Sequence, residues 1–131
     1  MPEERDDKKT VGVTPDGAQI LTDLMASGWF NEEIDAYKVA IGVAFANGLQ
    51  KPSSEMTKVG TKWNVGSIDA DGRLRRLVET LSPQDAERPY ASCERRAAAG
   101  LEFLRKKIVV EKATLYEALQ AEQLDQLDTK V

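Results

Sequence analysis

Apolar residues are so dense between positions 31 and 48 that they predict one buried helix, around which the rest of the chain is arranged. Asn31 can cap this helix and Gly48 can close it. Its apolar positions form two faces, Ile34, Tyr37, Ile41, Ala44 and Phe45 on one and Val39, Val43 and Ala46 on the other. A helix that is apolar nearly all round must be buried. In a chain of 131 residues, either the remaining residues or a second copy has to cover it.

A short strand and a further helix are predicted ahead of the central helix. In residues 10–14, Val11 and Val13 alternate with polar or small residues, which is typical of a strand with one buried face. Thr14 and Pro15 then provide a cap and a first-turn proline for a helix, which Gly28 ends. Because so short a strand is unstable alone, we expect it to pair with a distant segment or with its twin in a dimer.

The order strand, helix, turn, helix resembles the ribbon-helix-helix regulators of the MetJ and Arc class. The resemblance lies in TVGVT at residues 10–14, the turn Gly28-Trp29-Phe30, and EEIDAYKVAI at the start of the next helix. In that family, the strands of two subunits pair antiparallel and enter the major groove of DNA. The resemblance implies a homodimer interface formed by Val11, Val13, Ile34, Tyr37, Ile41 and Phe45. It implies DNA contacts from Lys8, Thr10, Gly12 and Thr14.

Beyond residue 49, the pattern predicts a linker and then several helices. Residues 50–62 combine proline, serines, glycine and lysines without periodicity, and a short strand is expected around Trp63 and Val65. Ser82 and Pro83 start a short helix that Pro89 stops, and the next helix begins at Ser92. The apolar stripes of the later helices are Leu74, Leu77, Val78 and Leu81; Cys93, Ala97, Leu101, Leu104 and Ile108; and Leu115, Leu119, Leu124 and Leu127.

The predicted fold class is therefore mainly α, with a strand-helix-helix dimerisation region followed by three or four further helices. The regions are a tail (1–9), the dimerisation region (10–49), a linker (50–62) and a helical C-terminal region (63–131). Much of the chain is also similar to small proteins encoded beside DNA-phosphorothioation and related phage-defence systems. The similar pieces are DAYKVAIGVAFANG, the proline-containing linker, GLEFLRKKI and LYEAL. This resemblance implies a genomic setting, in which a protein of the same operon is a partner, rather than a mechanism.

Composition excludes several classes of function. The formal net charge of −4 argues against a general nucleic-acid binder, although it allows a local basic patch. The chain has one cysteine and no histidine, which removes the common zinc sites and catalysis by Ser/His or Cys/His pairs. A lone thiol indicates the reducing cytoplasm, and no apolar run reaches the roughly 18 residues of a membrane span. We therefore expect a protein that is not an enzyme, with no metal and no cofactor.

Three smaller features have both a functional and a structural interpretation. Arg73, Arg75 and Arg76 are candidate auxiliary phosphate contacts, or simply a solvated helix face. Residues 67–72 resemble part of a calcium loop, but a turn and helix cap explains them better. Trp29 and Phe30 are adjacent, so at least one is expected in the core, while the other is a candidate anchor for a partner.

The function predicted from these features is that of a non-enzymatic, cytoplasmic DNA-associated protein. It would act as a transcriptional regulator or as an accessory component of a phage-defence or DNA-modification system. The alternative is a dimeric adaptor that binds no DNA and docks its C-terminal helix on another protein. Salt-dependent binding to duplex DNA distinguishes the two.

Overall fold

The computed structural model describes residues 7–120, which form two strands and a set of helices. In chain order these are β1 (Thr10–Val13), α1 (Pro15–Ala26), α2 (Glu33–Ala46), β2 (Gly60–Asn64), α3 (Val65–Ile68), α4 (Arg73–Leu81), a 3-10 turn (Pro83–Asp85), α5 (Pro89–Leu104) and a π-helical segment (Arg105–Val110). Residues 115–120 are also helical. The prediction of a mainly α fold is confirmed.

Local capping signals explain where several helices begin. The Thr14 hydroxyl accepts the N–H of Gly17 (3.0 Å) and Pro15 occupies the first turn, as predicted for α1. The helix at residues 115–120 follows a reciprocal capping box. In it, the Thr114 hydroxyl accepts the N–H of Glu117 (3.0 Å), and the Glu117 carboxylate accepts the N–H of Thr114 (2.9 Å).

The predicted short helix after Ser82 is present as the 3-10 turn Pro83–Asp85, which ends before Pro89, but the prediction that the next helix starts at Ser92 is wrong, because α5 begins at Pro89. A proline in the first turn of a helix loses no hydrogen bond, because the first N–H groups have no partner within the helix. The Asp7 carboxylate completes this end by accepting the N–H groups of Tyr90 (2.8 Å) and Ala91 (3.0 Å). A cap from a residue so distant in sequence leaves no local signal.

The core is built on the packing of α2 against α5. Helix α2 buries Ala36, Tyr37, Ala40, Ile41, Val43 and Ala44, as its apolar pattern predicts, but Ala46 of the predicted second face is exposed and Val39 is half-buried. The two helix backbones come so close that a Cβ added at Gly100 would lie 2.5 Å from the carbonyl carbon of Ala40. Helix α1 packs on both of them. The protomer therefore covers most of α2 with its own residues, and the predicted dimerisation and C-terminal regions share one hydrophobic core.

The strand β1 pairs antiparallel with β2 of the same chain. Thr10 is opposite Asn64, Val11 is opposite Trp63, and an irregularity in the register follows Val11. A Cβ at Gly12 would lie 2.6 Å from the carbonyl carbon of Gly60, so the strands admit only glycine at this point. The last residues of the predicted linker, from Gly60 onwards, belong to β2.

The opposite edge of β1 is closed by two buried side chains. The N–H of Gly12 donates to the Glu94 carboxylate (2.9 Å), and the Tyr37 hydroxyl donates to the carbonyl of Gly12 (3.0 Å). In this structure β1 therefore does not form the intersubunit ribbon that the family resemblance implies. Its strand partner is β2, and Gly12, which a second strand would have to meet, already has its hydrogen bonds.

Candidate interaction surface

The residues predicted to read DNA from β1 are engaged within the chain. Gly12 is buried, and the Thr14 hydroxyl caps α1. Lys8 is half-buried, and its ammonium lies 3.0 Å from the Glu94 carboxylate. The Thr10 hydroxyl lies 3.4 Å from that of Thr61. The structure thus brings these residues together along β1, but their polar groups face partners inside the protomer.

The three arginines singled out on α4 lie together on an exposed helix. The Arg73 side chain is 82% exposed and lies 3.0 Å from the Asp71 carboxylate. The Arg75 guanidinium lies 3.9 Å from the Glu79 carboxylate, and the Arg76 guanidinium donates to the carbonyl of Asp71 (3.3 Å). The neighbouring carboxylates Asp71 and Glu79 lower the local excess of positive charge.

The residues predicted for a dimer interface contribute to the core of the protomer. Val11, Val13, Tyr37 and Ile41 are buried, and Ile34 and Phe45 are partly buried against the same core. The Phe45 ring lies 4.1 Å below the buried Arg96 guanidinium, which donates to the carbonyl of Leu49 (3.1 Å) and to the Ser82 hydroxyl (3.2 Å). These contacts already occupy the apolar faces that a twin was expected to cover.

The segment that resembles a calcium loop acts as a helix cap. The Asp69 carboxylate accepts the N–H groups of Leu74 (2.8 Å) and Arg75 (3.1 Å) and the Tyr90 hydroxyl (2.7 Å). Burial by itself raises the pKa of Asp69, but these hydrogen bonds favour the ionised form, and the resulting pKa lies below the usual value for an aspartate. The interpretation as a turn and cap is confirmed.

The adjacent aromatic residues after α1 have different environments. Phe30 is buried, whereas 46% of the Trp29 side chain is exposed. The expectation that at least one of them lies in the core is therefore confirmed. Trp29 faces a groove of about 450 Å³, which we call the Trp29 groove. It is lined by Asp23, Ala26, Ser27, Trp29, Ile108, Val109, Lys112, Ala113 and Thr114.

The wall of the Trp29 groove opposite α1 is an unusual piece of backbone. After α5 the helix widens into the π-helical segment Arg105–Val110, and the N–H of Ala113 donates to the carbonyl of Lys107 (2.8 Å). Lys112 has a φ of 62°, which is uncommon for a residue with a Cβ. π-Helical turns are rare and are found preferentially at functional sites.

Exposed apolar side chains accompany this wall. Among residues 7–120, the large exposed apolar side chains are Trp29 (46%), Leu81 (57%), Val110 (69%), Tyr116 (72%) and Leu119 (45%). On the last described helix, Leu119 is exposed and Ala118 is buried. The predicted stripe positions Leu124 and Leu127 lie outside the described residues. Apart from Leu81 on α4, the exposed apolar residues belong to the Trp29 turn or to residues 110–119.

The Trp29 groove combines apolar side chains with a few charged ones. The groove offers an indole, aliphatic side chains, one carboxylate and one ammonium group. The one thiol of the chain lies away from the groove, because Cys93 is buried in α5. Burial raises the pKa of Cys93 to about 12, and the charges of Asp69 and Asp7 add to this shift. This shift favours the neutral thiol of Cys93 over the thiolate, which is the nucleophilic form.

No protein-family model, curated protein or solved structure matches this chain. In the described part of the chain, every helix is too short or too polar to cross a lipid bilayer.

Proposed function

We propose that this protein is a non-enzymatic interaction module that binds another protein through the Trp29 groove. The observation that carries the proposal is the exposed Trp29 side chain beside a groove walled by the π-helical segment and residues 112–114. Exposed apolar surface of this kind is typical of sites where proteins associate. Tryptophan is also enriched among the residues that dominate binding energy at such sites.

The exposed area of Trp29 allows an estimate of what this side chain contributes to binding. A tryptophan side chain presents roughly 200 to 250 Å², so the part that remains exposed corresponds to about 100 Å². At about 25 cal/mol per Å², its burial by a partner contributes about 2.5 kcal/mol, or about 60-fold in affinity. Truncation of this one side chain is therefore expected to weaken binding measurably.

The test is affinity capture from cells that produce a tagged chain, with nuclease added so that nucleic acid cannot bridge proteins. The wild-type chain is compared with Trp29→Ala and with Leu81→Ala, which removes an exposed apolar side chain from α4. We expect a protein that is retained by the wild type and by Leu81→Ala and is lost with Trp29→Ala. Identical captured proteins from all three chains would refute the proposal.

A DNA-associated role remains the second candidate, as a regulator or as an accessory component of a defence system. The observation in its favour is the exposure of Arg73, Arg75 and Arg76 on one helix. Three phosphate contacts predict a salt dependence with a log–log slope of about −3 on duplex DNA. Replacing all three arginines by alanine should remove that slope. If the wild-type chain does not bind DNA at low salt, this role is excluded.

Self-association is a separate prediction, since the homodimer was inferred from the family resemblance. Light scattering after gel filtration measures the mass of the wild-type chain directly. Because Val11, Tyr37 and Ile41 are buried in the protomer, a homodimer would need another surface, and the exposed side chains of the Trp29 groove are available. A dimer that Trp29→Ala weakens would identify the partner protein as a second copy.

A further inference from the structure

We propose that the chain's own C-terminal residues, 121–131, occupy the Trp29 groove until a partner displaces them. This inference rests on the proposed function only in treating the groove as a docking site. It adds a regulator to that site, namely a segment of the same chain that competes with the partner. Three observations carry it: where the described chain ends, the chemistry of the segment, and the chemistry of the groove.

The first observation concerns the tether. The last described residue, Gln120, belongs to the helix that starts directly after Thr114, and Thr114 itself lines the groove. Six helical residues span only about 9 Å. The segment that follows can reach up to about 36 Å when it is extended. Its length therefore allows it to return to the groove, and a short tether gives an effective concentration on the order of millimolar.

The second observation is the composition of the segment, AEQLDQLDTKV. Leu124 and Leu127 are three residues apart, and the acidic residues Glu122, Asp125 and Asp128 repeat with the same spacing. The segment thus carries two leucines and three acidic residues, each set with a spacing of three residues. Nothing else in residues 121–131 is strongly hydrophobic except the terminal Val131.

The third observation is that the groove presents the complementary groups. Its apolar lining includes Trp29, Ile108 and Val109, which match two leucines. Lys112 lines the wall formed by residues 108–114. Asp23 lies on the opposite wall, on α1. The acidic residues are therefore expected on the lysine side of the groove, with the leucines against Trp29.

The test uses Trp29 as its own reporter. Trp63→Phe leaves one tryptophan and keeps a ring packed near Tyr37, whose ring centroid lies 4.9 Å from that of Trp63. In this background, the full chain is compared with a chain that ends at Gln120. We expect the shortened chain to show red-shifted emission and stronger quenching by acrylamide. Equal emission and equal quenching in both chains would overturn the inference.

Matched variants separate docking from a general effect of the tail. Leu124→Asp with Leu127→Asp should reproduce the shortened chain, whereas Thr129→Ala with Lys130→Ala should behave as the full chain. A synthetic peptide of residues 121–131 should restore the protection of Trp29 in the shortened chain. Protection that rises with protein concentration would instead indicate docking between copies and would contradict docking within one chain.

The two proposals fail in different ways. The fluorescence comparison needs no partner, so it decides the role of the tail even if no protein is ever captured. Partner capture that depends on Trp29 in the shortened chain would uphold the docking site alone. If the tail competes, the shortened chain captures more partner than the full chain, and equal capture would count against competition.

Discussion

Replacing Gly100 by alanine tests the close approach of α2 and α5 on which the core depends. An added Cβ would lie 2.5 Å from the carbonyl carbon of Ala40 and 2.8 Å from its Cα. Carbon atoms pack best at about 3.5 to 4.0 Å, so the helices have to separate by about 1 Å. Because the opposing atoms belong to the backbone, no side-chain rotation relieves the clash.

The magnitude follows from two opposing effects. Overpacking a core typically costs about 1 to 3 kcal/mol, and the upper end applies here because backbone must move. Alanine improves helix propensity over glycine by about 1 kcal/mol. We therefore expect Gly100→Ala to lower the free energy of unfolding by about 2 kcal/mol. Gly42→Ala is the matched control, since Gly42 lies in α2 with no atom within 4 Å of an added Cβ.

The assay is urea unfolding followed by circular dichroism, with both variants compared to the wild type at a common m value. Gly42→Ala should stabilise the protein by roughly 0.5 to 1 kcal/mol, so the two identical substitutions have opposite signs. A stabilising effect of Gly100→Ala would mean that α2 and α5 do not touch at this point. Such a result would contradict the close packing of α5 on α2 that buries α2.

Three further predictions concern β1, the α4 cap and the groove. Tyr37→Phe should cost about 1 to 3 kcal/mol in urea unfolding, because it leaves the buried carbonyl of Gly12 without its donor. The pKa of Asp69 is lowered by folding, so the unfolded chain binds the proton more tightly and stability is lost as the pH falls below about 4. Asp69→Asn should reduce the loss of unfolding free energy at low pH, which is measured from unfolding curves at several pH values. An unchanged pH dependence would contradict the capping role of Asp69. Trp29→Ala should lower the free energy of unfolding by up to about 3 kcal/mol, because slightly more than half of the residue is buried against the protomer, and an unchanged free energy of unfolding would mean that Trp29 does not pack there.

The helical elements were largely predictable because their signals are local. The Thr14-Pro15 start of α1, the glycine turn before α4 and the Thr114 cap each depend on residues within one helical turn. The burial of α2 followed equally from its apolar pattern. The start of α5 was misplaced, because Pro89 is its first-turn proline rather than a stop, and its cap, Asp7, lies far away in the sequence.

The pairing of β1 shows why the family resemblance led elsewhere. An alternating pattern predicts a strand with one buried face, but it does not identify the strand with which it pairs. β2 was a weak signal, since four of its five residues are exposed and its paired Trp63 is half-buried. Likewise, an apolar helix has to be buried, but α5 of the same chain can bury it as well as a second subunit can. Small residues on α5, such as Ala97 and Gly100, allow the close approach.

Only one side of the Trp29 groove could be predicted from the sequence. The Trp29-Phe30 pair indicated a candidate anchor, but the opposing wall depends on a change from α to π geometry after Leu104. On the helix that follows this wall, Leu119 is exposed and Ala118 is buried. Ile108 and Val109 of the π-helical segment and Lys112, with its positive φ, line that wall. The exposure of Val110, Tyr116 and Leu119 agrees with the proposed binding role, because burying those side chains would have stabilised the protomer.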